Sequence, residues 1–390
     1  MSSSIIITIC ILLLLAYFFD ITSSKTKIPT IVLLLILGWF VKQGTTLLHI
    51  VIPDLNPILP VLGTIGLILI VLEGSLELEL KKSNLSLVKK SSIVAFFPIF
   101  LLSFGLGYAF YYFGNISFKE GLANAIPLAV ISSAVAISSA KNLISSQKEF
   151  ITYESSLSDI FGVLFFNFIT LHTIIDLGSF GVFFLEMIFI VIISFLATLG
   201  LAYLLSKITH KVKFAPIILL VILIYFISKE YHLPALFFIM FFGLFLGNLD
   251  ELKQLPFIEK LHPEVLNKEV MKFKELVGEF TFLIRALFFL LFGFVIKTSE
   301  LLNHKTIIWA IFITVSIFII RAIFLKLVKL PIVPLLFIAP RGLITILLFL
   351  SIPANQTIEL LNNSLLIQVI ILTAFFMMFG LMFSKKRDTN

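Results

Sequence analysis

The sequence has little cysteine and little charge. Its single cysteine, Cys10, lies within the first apolar segment, so the chain can form neither an internal disulfide framework nor a cysteine metal site. The six histidines show no HxxxH or Cys/His spacing, and we expect no metal cofactor and no other cofactor. Charged residues make up only 13% of the 390 residues, against about 25% in soluble globular domains. This scarcity argues against a sizeable soluble domain.

Apolar residues dominate instead, at 59% of the chain with a mean hydropathy of +1.13. Apolar segments of about 20 residues, the length that crosses roughly 30 Å of hydrocarbon, recur from end to end. The first segment has no basic n-region and no small-residue cleavage site, so we interpret it as a retained helix and not as a signal peptide. The sequence therefore predicts an all-α polytopic membrane protein with one transmembrane domain over residues 1–390.

Thirteen transmembrane helices are predicted from these segments. They are expected near residues 4–19, 28–41, 57–76, 92–113, 119–140, 151–172, 181–206, 214–228, 234–249, 277–296, 306–326, 332–352 and 364–384. Pro127 and Pro340 interrupt the fifth and twelfth segments, and interruptions of this kind are typical of broken helices in transporters.

The distribution of basic residues predicts the orientation. Of the 29 Lys and Arg residues, 21 fall in the odd-numbered loops and the C-terminal tail, and five fall on the other side. By the positive-inside rule the N-terminus is outside and the C-terminus is cytoplasmic, in a bacterial inner membrane. The net charge of +7 is thus a topology signal, and nucleic-acid binding is not expected. The longest loop, residues 250–278, predicts an amphipathic interfacial helix that includes Leu255, Phe257, Ile258 and Leu261.

Asp159 is the strongest functional candidate, because ionisable residues inside a membrane are costly. It lies two to three turns into the sixth span, whereas the other five aspartates fall at span ends or in loops. Ser155 lies four residues earlier on the same helix face, and a hydroxyl next to a carboxylate suits a small alkali cation. Burial favours a protonated carboxyl over a bare carboxylate, so Asp159 could hold a proton or a cation in competition. The alternative is a structural aspartate neutralised by a nearby arginine.

Other charged residues also lie within the spans. Glu73 is either a functional charge within the membrane or an interfacial charge. Glu154 and Arg321 lie at similar depths, which suggests a structural ion pair. Arg285 lies deep in the tenth span, with either Asp159 or Glu73 as a possible partner.

Two further features concern the interrupted helices. Arg341 follows Pro340 directly, at a point where unwound carbonyl groups need positive charge. Ser132 and Ser133 offer hydroxyls near the cation site, although small residues at this position could equally serve helix packing.

Gly243 and Gly247 form a small-xxx-small pair, which favours close helix packing.

Four motifs resemble those of NhaP-like sodium/proton exchangers in the monovalent cation:proton antiporter superfamily. ESSLSD resembles the sixth-helix E-S-x-x-N-D motif, LEGSLELEL the third-helix signature, IIRAIF the eleventh-helix arginine motif and APRGLIT the twelfth-helix G-x-R-G stretch. The resemblance spans nearly the whole chain in matching order. It implies two inverted six-helix repeats, near residues 1–175 and 214–384, joined by a linking helix at 181–206, with the fifth and twelfth helices crossing as broken halves.

The resemblance also assigns roles to residues. It implies that Asp159 is the cation carboxylate, that Ser155 and Glu73 are further ligands, and that Glu154 and Arg321 form the structural ion pair. The chain departs from the family pattern at two places. Ser158 stands where the sixth-helix motif has Asn, and Ser132-Ser133-Ala134 stands where the fifth helix has T-D-P. We include Ser132 and Ser158 among the cation-binding or proton-binding candidates, and we assign Ser133, with Arg341, to charge compensation at the broken helices. Arg285 occupies a position like that of the basic tenth-helix residue in the electrogenic branch of the superfamily.

The expected function is exchange of Na⁺ or Li⁺ for H⁺ by alternating access, in pH homeostasis, by a homodimer. A single deep aspartate favours electroneutral exchange. A K⁺/H⁺ antiporter is the nearest alternative, and a proton-uncoupled cation channel or a transporter-like sensor belongs to another class. An intramembrane aspartyl protease would need two deep aspartates, and only Asp159 lies deep.

Overall fold

The computed structural model describes residues 2–26, 28–50, 52, 54–55, 57–78, 85–140, 143–172, 177–207, 213–231, 235–252 and 263–383. Within these ranges the chain consists of helices and connecting loops, with no β-strand. The predicted all-α class is therefore confirmed.

The α-helices are numbered in chain order. They are α1 (Ser2–Thr26), α2 (Thr30–Leu47), α3 (Ile58–Glu77), α4 (Leu85–Gly114), α5 (Phe118–Ala129), α6 (Ser133–Ser139), α7 (Ser145–Leu171), α8 (Leu177–Lys207), α9 (Phe214–Glu230), α10 (Ala235–Gly247), α11 (Leu249–Leu252), α12 (Pro263–Val295), α13 (Thr298–Leu301), α14 (His304–Leu327), α15 (Leu343–Leu350) and α16 (Asn363–Phe383). Two 3-10 turns, Leu335–Phe337 and Ala354–Gln356, flank α15.

Eight helical segments in the described ranges are long and apolar enough to cross a membrane. They lie in α2, α3, α4, the α5–α6 pair, α7, α12, α14 and α16. Shorter apolar stretches lie in α1, α8 and α10. Each of the thirteen predicted segments overlaps described helix. The number of crossings remains a prediction, as do the two inverted repeats and their boundaries.

The fifth and twelfth predicted segments are both interrupted. α5 ends at Ala129, Val130 and Ser132 have extended backbone dihedral angles, and α6 begins at Ser133. In the later segment the 3-10 turn is followed by non-helical residues 338–342, and α15 begins at Leu343. Because proline lacks a backbone N–H and clashes with the preceding turn, Pro340 fits this second interruption.

The start of α5 is fixed by a capping box. The Ser117 hydroxyl accepts a hydrogen bond of 3.2 Å from the Glu120 N–H, and the Glu120 carboxylate accepts one of 2.8 Å from the Ser117 N–H. Such reciprocal bonds satisfy N–H groups that have no partner in the first helical turn. They anchor the helix that leads to the first interruption.

The helices pack as two groups, which we call the α7 bundle and the α3 bundle. In the α7 bundle, α4 packs against α5, α7 and α14, and α14 packs against α16. In the α3 bundle, α12 packs against α2 and α3, and α10 packs against α3 and α8. α3 also contacts α7 and α15, so the boundary between the bundles runs along α3 and α7.

Gly243 and Gly247 lie where α10 packs closely on α3. A Cβ atom added to Gly243 would lie 2.6 Å from the Ser75 Cβ, and one added to Gly247 would lie 2.7 Å from the Leu76 carbonyl oxygen. A larger residue at either position would push the helices apart, which is the packing role expected of small residues in membrane helices.

The predicted interfacial helix falls partly outside the described residues. Leu255, Phe257, Ile258 and Leu261 all lie there. From Pro263 onward the chain is helical and continues without interruption into the membrane segment as α12.

Candidate functional site

Asp159 lies in the middle of α7, on the boundary between the two bundles. Its side chain is 4% exposed. The Ser133 hydroxyl donates a hydrogen bond to Oδ2 of Asp159, and Oδ1 has no hydrogen-bond partner in the described part of the chain. Asp159 also lines a small cavity whose other residues are apolar, among them Val71 of α3 and Leu236 and Met240 of α10. The carboxylate is therefore buried, half-satisfied and adjacent to the α3 bundle.

The interruption between α5 and α6 brings Ser133 to Asp159. Val130 and Ser132 are extended, which lets the chain restart as a helix at Ser133 with its side chain towards α7. Ser132, the other candidate from this stretch, lies at the crossing of the two interrupted helices. Its backbone N–H donates to the Pro340 carbonyl at 2.9 Å. The structure thus brings Ser133 to the carboxylate and places Ser132 where the two non-helical segments meet.

Three serines lie between Glu154 and Asp159, and their hydroxyls make different contacts. Ser155 donates to the Ile151 carbonyl at 2.7 Å, one turn earlier in α7. Ser158 accepts a 2.9 Å hydrogen bond from the Ile131 N–H, within the first interruption. Ser158 therefore helps to hold the non-helical segment in place, while the Ser155 oxygen retains lone pairs that could bind a cation.

Glu154 and Arg321 form a buried ion pair that joins α7 to α14. Nη2 of Arg321 donates to Oε2 of Glu154 at 2.8 Å, and Nη1 donates to Oε1. Nε of Arg321 donates to the Leu335 carbonyl at 2.9 Å, which fixes the 3-10 turn before the second interruption. Both side chains are at most 3% exposed. The pair therefore connects three elements of the α7 bundle, namely α7, α14 and the 3-10 turn.

Arg341 satisfies carbonyl groups at both interruptions. Its Nε donates to the Leu128 carbonyl at 2.7 Å and Nη2 to the Ala129 carbonyl at 3.0 Å, at the end of α5. Nη1 donates to the Ala339 carbonyl at 2.8 Å. The C-terminal carbonyls of a helix carry partial negative charge and lack helical partners. The guanidinium group supplies both the donors and the positive charge.

Glu73 and Arg285 lie in the α3 bundle, on α3 and α12 respectively. Glu73 is half-buried on α3. A Cβ atom added to Gly278 of α12 would lie 3.6 Å from Oε1 of Glu73, so the carboxylate lies close to α12. Within the described residues, no carboxylate lies within 4.0 Å of Arg285, so neither expected partner forms an ion pair with it there. Arg285 instead lines a cavity with Asp20 of α1 and Ser138 of α6.

Two side chains in the site were not singled out from the sequence. Thr373 of α16 accepts a 3.1 Å hydrogen bond from the Arg341 N–H, and this contact between distant segments leaves no signal in spacing. Ser156 is 4% exposed, and its hydroxyl has no hydrogen-bond partner in the described ranges. It could have been found as a second serine on the Asp159 helix, three residues before the carboxylate.

The arrangement favours reversible binding of a small cation or a proton at one carboxylate. A bare, buried carboxylate oxygen without a partner is energetically costly, and either a proton or a hard cation would satisfy it. The described residues contain no group of three or more His, Cys, Asp or Glu that could hold a metal ion.

Comparisons with known proteins give a family and two solved structures of similar fold. A family model described as "Sodium/hydrogen exchanger, transmembrane" matches residues 9–385. The fold is similar to the structure of the sodium proton antiporter MjNhaP1 from Methanocaldococcus jannaschii at pH 8, with a TM-score of 0.66 and 19% identity over 97% of this chain and 95% of that chain. An electron-microscopy structure of the same antiporter gives a TM-score of 0.67 and 20% identity, over 97% of this chain and 94% of that chain. The comparison with curated proteins gave no match.

The family model covers nearly the whole chain, including every residue of the site. This chain therefore belongs to the transmembrane sodium/hydrogen exchanger family, a family of transporters and not of enzymes.

Proposed function

We propose that this protein is a secondary active antiporter that exchanges a monovalent cation for H⁺ at Asp159. Na⁺ is the first candidate and Li⁺ the second. The family match and the fold shared with a sodium proton antiporter support cation/proton antiport as the class of activity.

The unpartnered Oδ1 of Asp159 carries the proposal. Oδ2 already accepts a hydrogen bond from Ser133, so only Oδ1 remains to be satisfied. A proton on the carboxyl group cancels its charge, and a bound cation compensates that charge directly. Because the two compete for one carboxylate, binding of either displaces the other. This competition couples the two fluxes.

Other oxygen atoms can complete the cation site. Ser155 lies one turn from Asp159, and Glu73 lies on α3 next to Gly74, the residue that packs against Ser156 of α7. We propose both as further ligands. Ser133 keeps the carboxylate oriented, whereas the contacts of Ser132 and Ser158 suit them to holding the interrupted helix near the site.

Alternating access would occur by movement of the α7 bundle relative to the α3 bundle. Asp159 lies on the α7 side of their boundary, against apolar residues of α3 and α10. A sliding movement could therefore carry the bound ion past a hydrophobic barrier without breaking the ion pair between Glu154 and Arg321. We propose that the protein works as a homodimer in a bacterial inner membrane, with its C-terminus in the cytoplasm and two inverted repeats.

The test is ion exchange in proteoliposomes that contain a pH-sensitive dye. Na⁺, Li⁺ and K⁺ are added in turn to liposomes with wild type, Asp159→Asn and Asp54→Asn, the last being the same substitution at an exposed loop position. We expect dequenching with Na⁺ for wild type and Asp54→Asn, and none for Asp159→Asn. Normal exchange by Asp159→Asn would overturn the proposal.

The same assay separates the alternatives. A response to K⁺ in preference to Na⁺ would identify a K⁺/H⁺ antiporter. Cation flux measured with a radioactive tracer, without any proton movement, would identify a channel. Silence of the wild type towards every cation would reject antiport by this chain.

A further inference from the structure

Ser156 differs from the two other serines between Glu154 and Asp159. The hydroxyls of Ser155 and Ser158 both take part in hydrogen bonds with backbone groups. The Ser156 hydroxyl is buried and has no hydrogen-bond partner among the described residues. A buried hydroxyl without a partner is costly, and native structures contain few of them, often at functional sites.

The Ser156 hydroxyl faces the boundary between the two bundles. A Cβ atom added to Gly74 of α3 would lie 3.4 Å from Oγ of Ser156 and 3.9 Å from its Cβ. Because Gly74 has no side chain, nothing from this position of α3 covers the hydroxyl. Glu73, already proposed as a ligand, is the preceding residue of α3.

Ser156 is also one helical turn from the unpartnered oxygen of Asp159. Residues three apart on an α-helix have Cβ atoms about 5–6 Å apart and lie on neighbouring parts of one face. Two oxygen atoms at such a spacing can bind the same cation from either side. Both atoms, Oγ of Ser156 and Oδ1 of Asp159, are buried and lack a partner in the described part of the chain.

We propose that Ser156 is a ligand of the transported cation, which it binds through Oγ together with Oδ1 of Asp159 at the α3–α7 boundary. This assignment rests on the proposed antiport at Asp159 and adds to it a ligand that shares the cation with Oδ1, whereas Ser133 donates to Oδ2. A neutral hydroxyl replaces one water molecule of the cation's hydration shell but does not hold a transported proton. Ser156 therefore determines the affinity for the cation.

The experiment measures cation dependence of exchange in proteoliposomes for wild type, Ser156→Ala, Ser156→Thr and Ser92→Ala. Ser92 is the matched control, because its hydroxyl donates only to the Val88 carbonyl within α4, far along the chain from the site. We expect Ser156→Ala to raise the KM for Na⁺ roughly tenfold. This is the effect of losing one contact between a hydroxyl and a charged group, if that contact is as strong as a hydrogen bond. The maximal rate stays close to that of wild type. Ser156→Thr, which keeps the hydroxyl, stays within about threefold of the wild-type KM.

The split between KM and maximal rate distinguishes a ligand from a packing residue. A lower maximal rate with an unchanged KM for Ser156→Ala would overturn the assignment, as would a KM equal to that of Ser92→Ala. If Ser156→Ala does not fold, the comparison of Ser156→Thr with Ser156→Cys gives the same test, since only threonine retains an oxygen. A wild type that exchanges no cation would reject the antiport proposal itself, whereas active wild type with an insensitive Ser156 rejects only this ligand.

Discussion

The backbone N–H of Ser132 donates a 2.9 Å hydrogen bond to the carbonyl of Pro340, so the two interrupted helices are joined where they cross. The same place is tightly packed. A Cβ atom added to Gly342 would lie 2.8 Å from the Ser132 Oγ and 2.9 Å from a methyl carbon of Val135. Because real Cβ atoms essentially never approach this closely, glycine at position 342 permits the crossing.

Gly342→Ala is therefore expected to disturb the crossing. Overpacking of this kind costs about 1–3 kcal/mol in a packed interior, and it should also displace Ser133 from Asp159. The measurements are the thermal unfolding temperature in detergent and the rate of Na⁺-driven dequenching. Gly105→Ala is the control, because a Cβ atom there meets no atom within 4 Å. Equal stability and equal rates for the two variants would contradict the packing argument.

Arg341→Lys tests whether geometry as well as charge is needed at the interruptions. The three carbonyl groups of Leu128, Ala129 and Ala339 accept from three different nitrogen atoms of Arg341. A lysine ammonium lacks the planar fork and cannot reach all of them, and each unsatisfied buried carbonyl costs roughly 1–3 kcal/mol. We expect a marked loss of thermal stability and of transport.

Arg285→Lys is the comparison for that variant, since Arg285 forms no ion pair with a described residue and lines a cavity. Its loss of thermal stability should be much smaller. If the two lysine variants unfold at the same temperature, the hydrogen bonds of Arg341 to the interrupted helices do not matter for stability.

The ion pair of Glu154 and Arg321 is expected to be structural. Glu154→Gln leaves the buried guanidinium of Arg321 without its counter-charge, which should destabilise the protein by roughly 3–5 kcal/mol. Replacing both residues, as Glu154→Gln with Arg321→Met, removes the uncompensated charge and should recover part of the loss. Thermal unfolding measures both, with Glu359→Gln at an exposed position as control. A stable but inactive Glu154→Gln would instead identify Glu154 as a transport group.

Hydropathy predicted where the apolar helices lie, and each of the thirteen predicted segments overlaps described helix. It does so because the bilayer demands long apolar stretches whatever the rest of the fold requires. Pro340 lies in the second interruption, whereas Pro127 lies inside α5, three residues before Val130, where the first interruption begins. The side-chain partners at the site were less accessible. Whether Ser132 or Ser133 reaches Asp159 depends on the extended dihedral angles at Val130 and Ser132, which set the rotation of α6. Sequence spacing carries no information about such a rotation.

The environment of Arg285 was hidden for a related reason. Depth along the chain allowed Asp159 or Glu73 as its partner, but depth does not say which way a helix faces. In the structure, the packing of α12 places Arg285 at a cavity that Asp20 of α1 and Ser138 of α6 also line. Tertiary packing of this kind depends on many small contacts and leaves no short motif.

Transport should be insensitive to membrane potential. In the proposed mechanism, Asp159 exchanges one proton for one monovalent cation, so that no net charge crosses the membrane in a cycle. Glu154, the other fully buried carboxylate of α7 in the described chain, is already neutralised by Arg321. It therefore need not release a second proton. If one net charge did cross, a potential of 100 mV would change the free energy of exchange by about 2.3 kcal/mol. This corresponds to a roughly fiftyfold change in the equilibrium ratio of the ions.

The measurement finds the balance point at which opposing Na⁺ and pH gradients give no net dequenching, and then imposes a potential with a permeant anion. A K⁺ diffusion potential is avoided, because the K⁺ gradient would itself drive exchange if the protein also transports K⁺. For one-for-one exchange the balance point stays where the two concentration ratios are equal, at every potential. A balance point that moves with potential would mean that net charge crosses the membrane, and a shift in the direction of charge carried by the protons would mean that more than one proton is exchanged per cation. The second proton would then have to come from another carboxylate, and Glu73→Gln, which removes the half-buried acid of α3, should restore a balance point independent of potential.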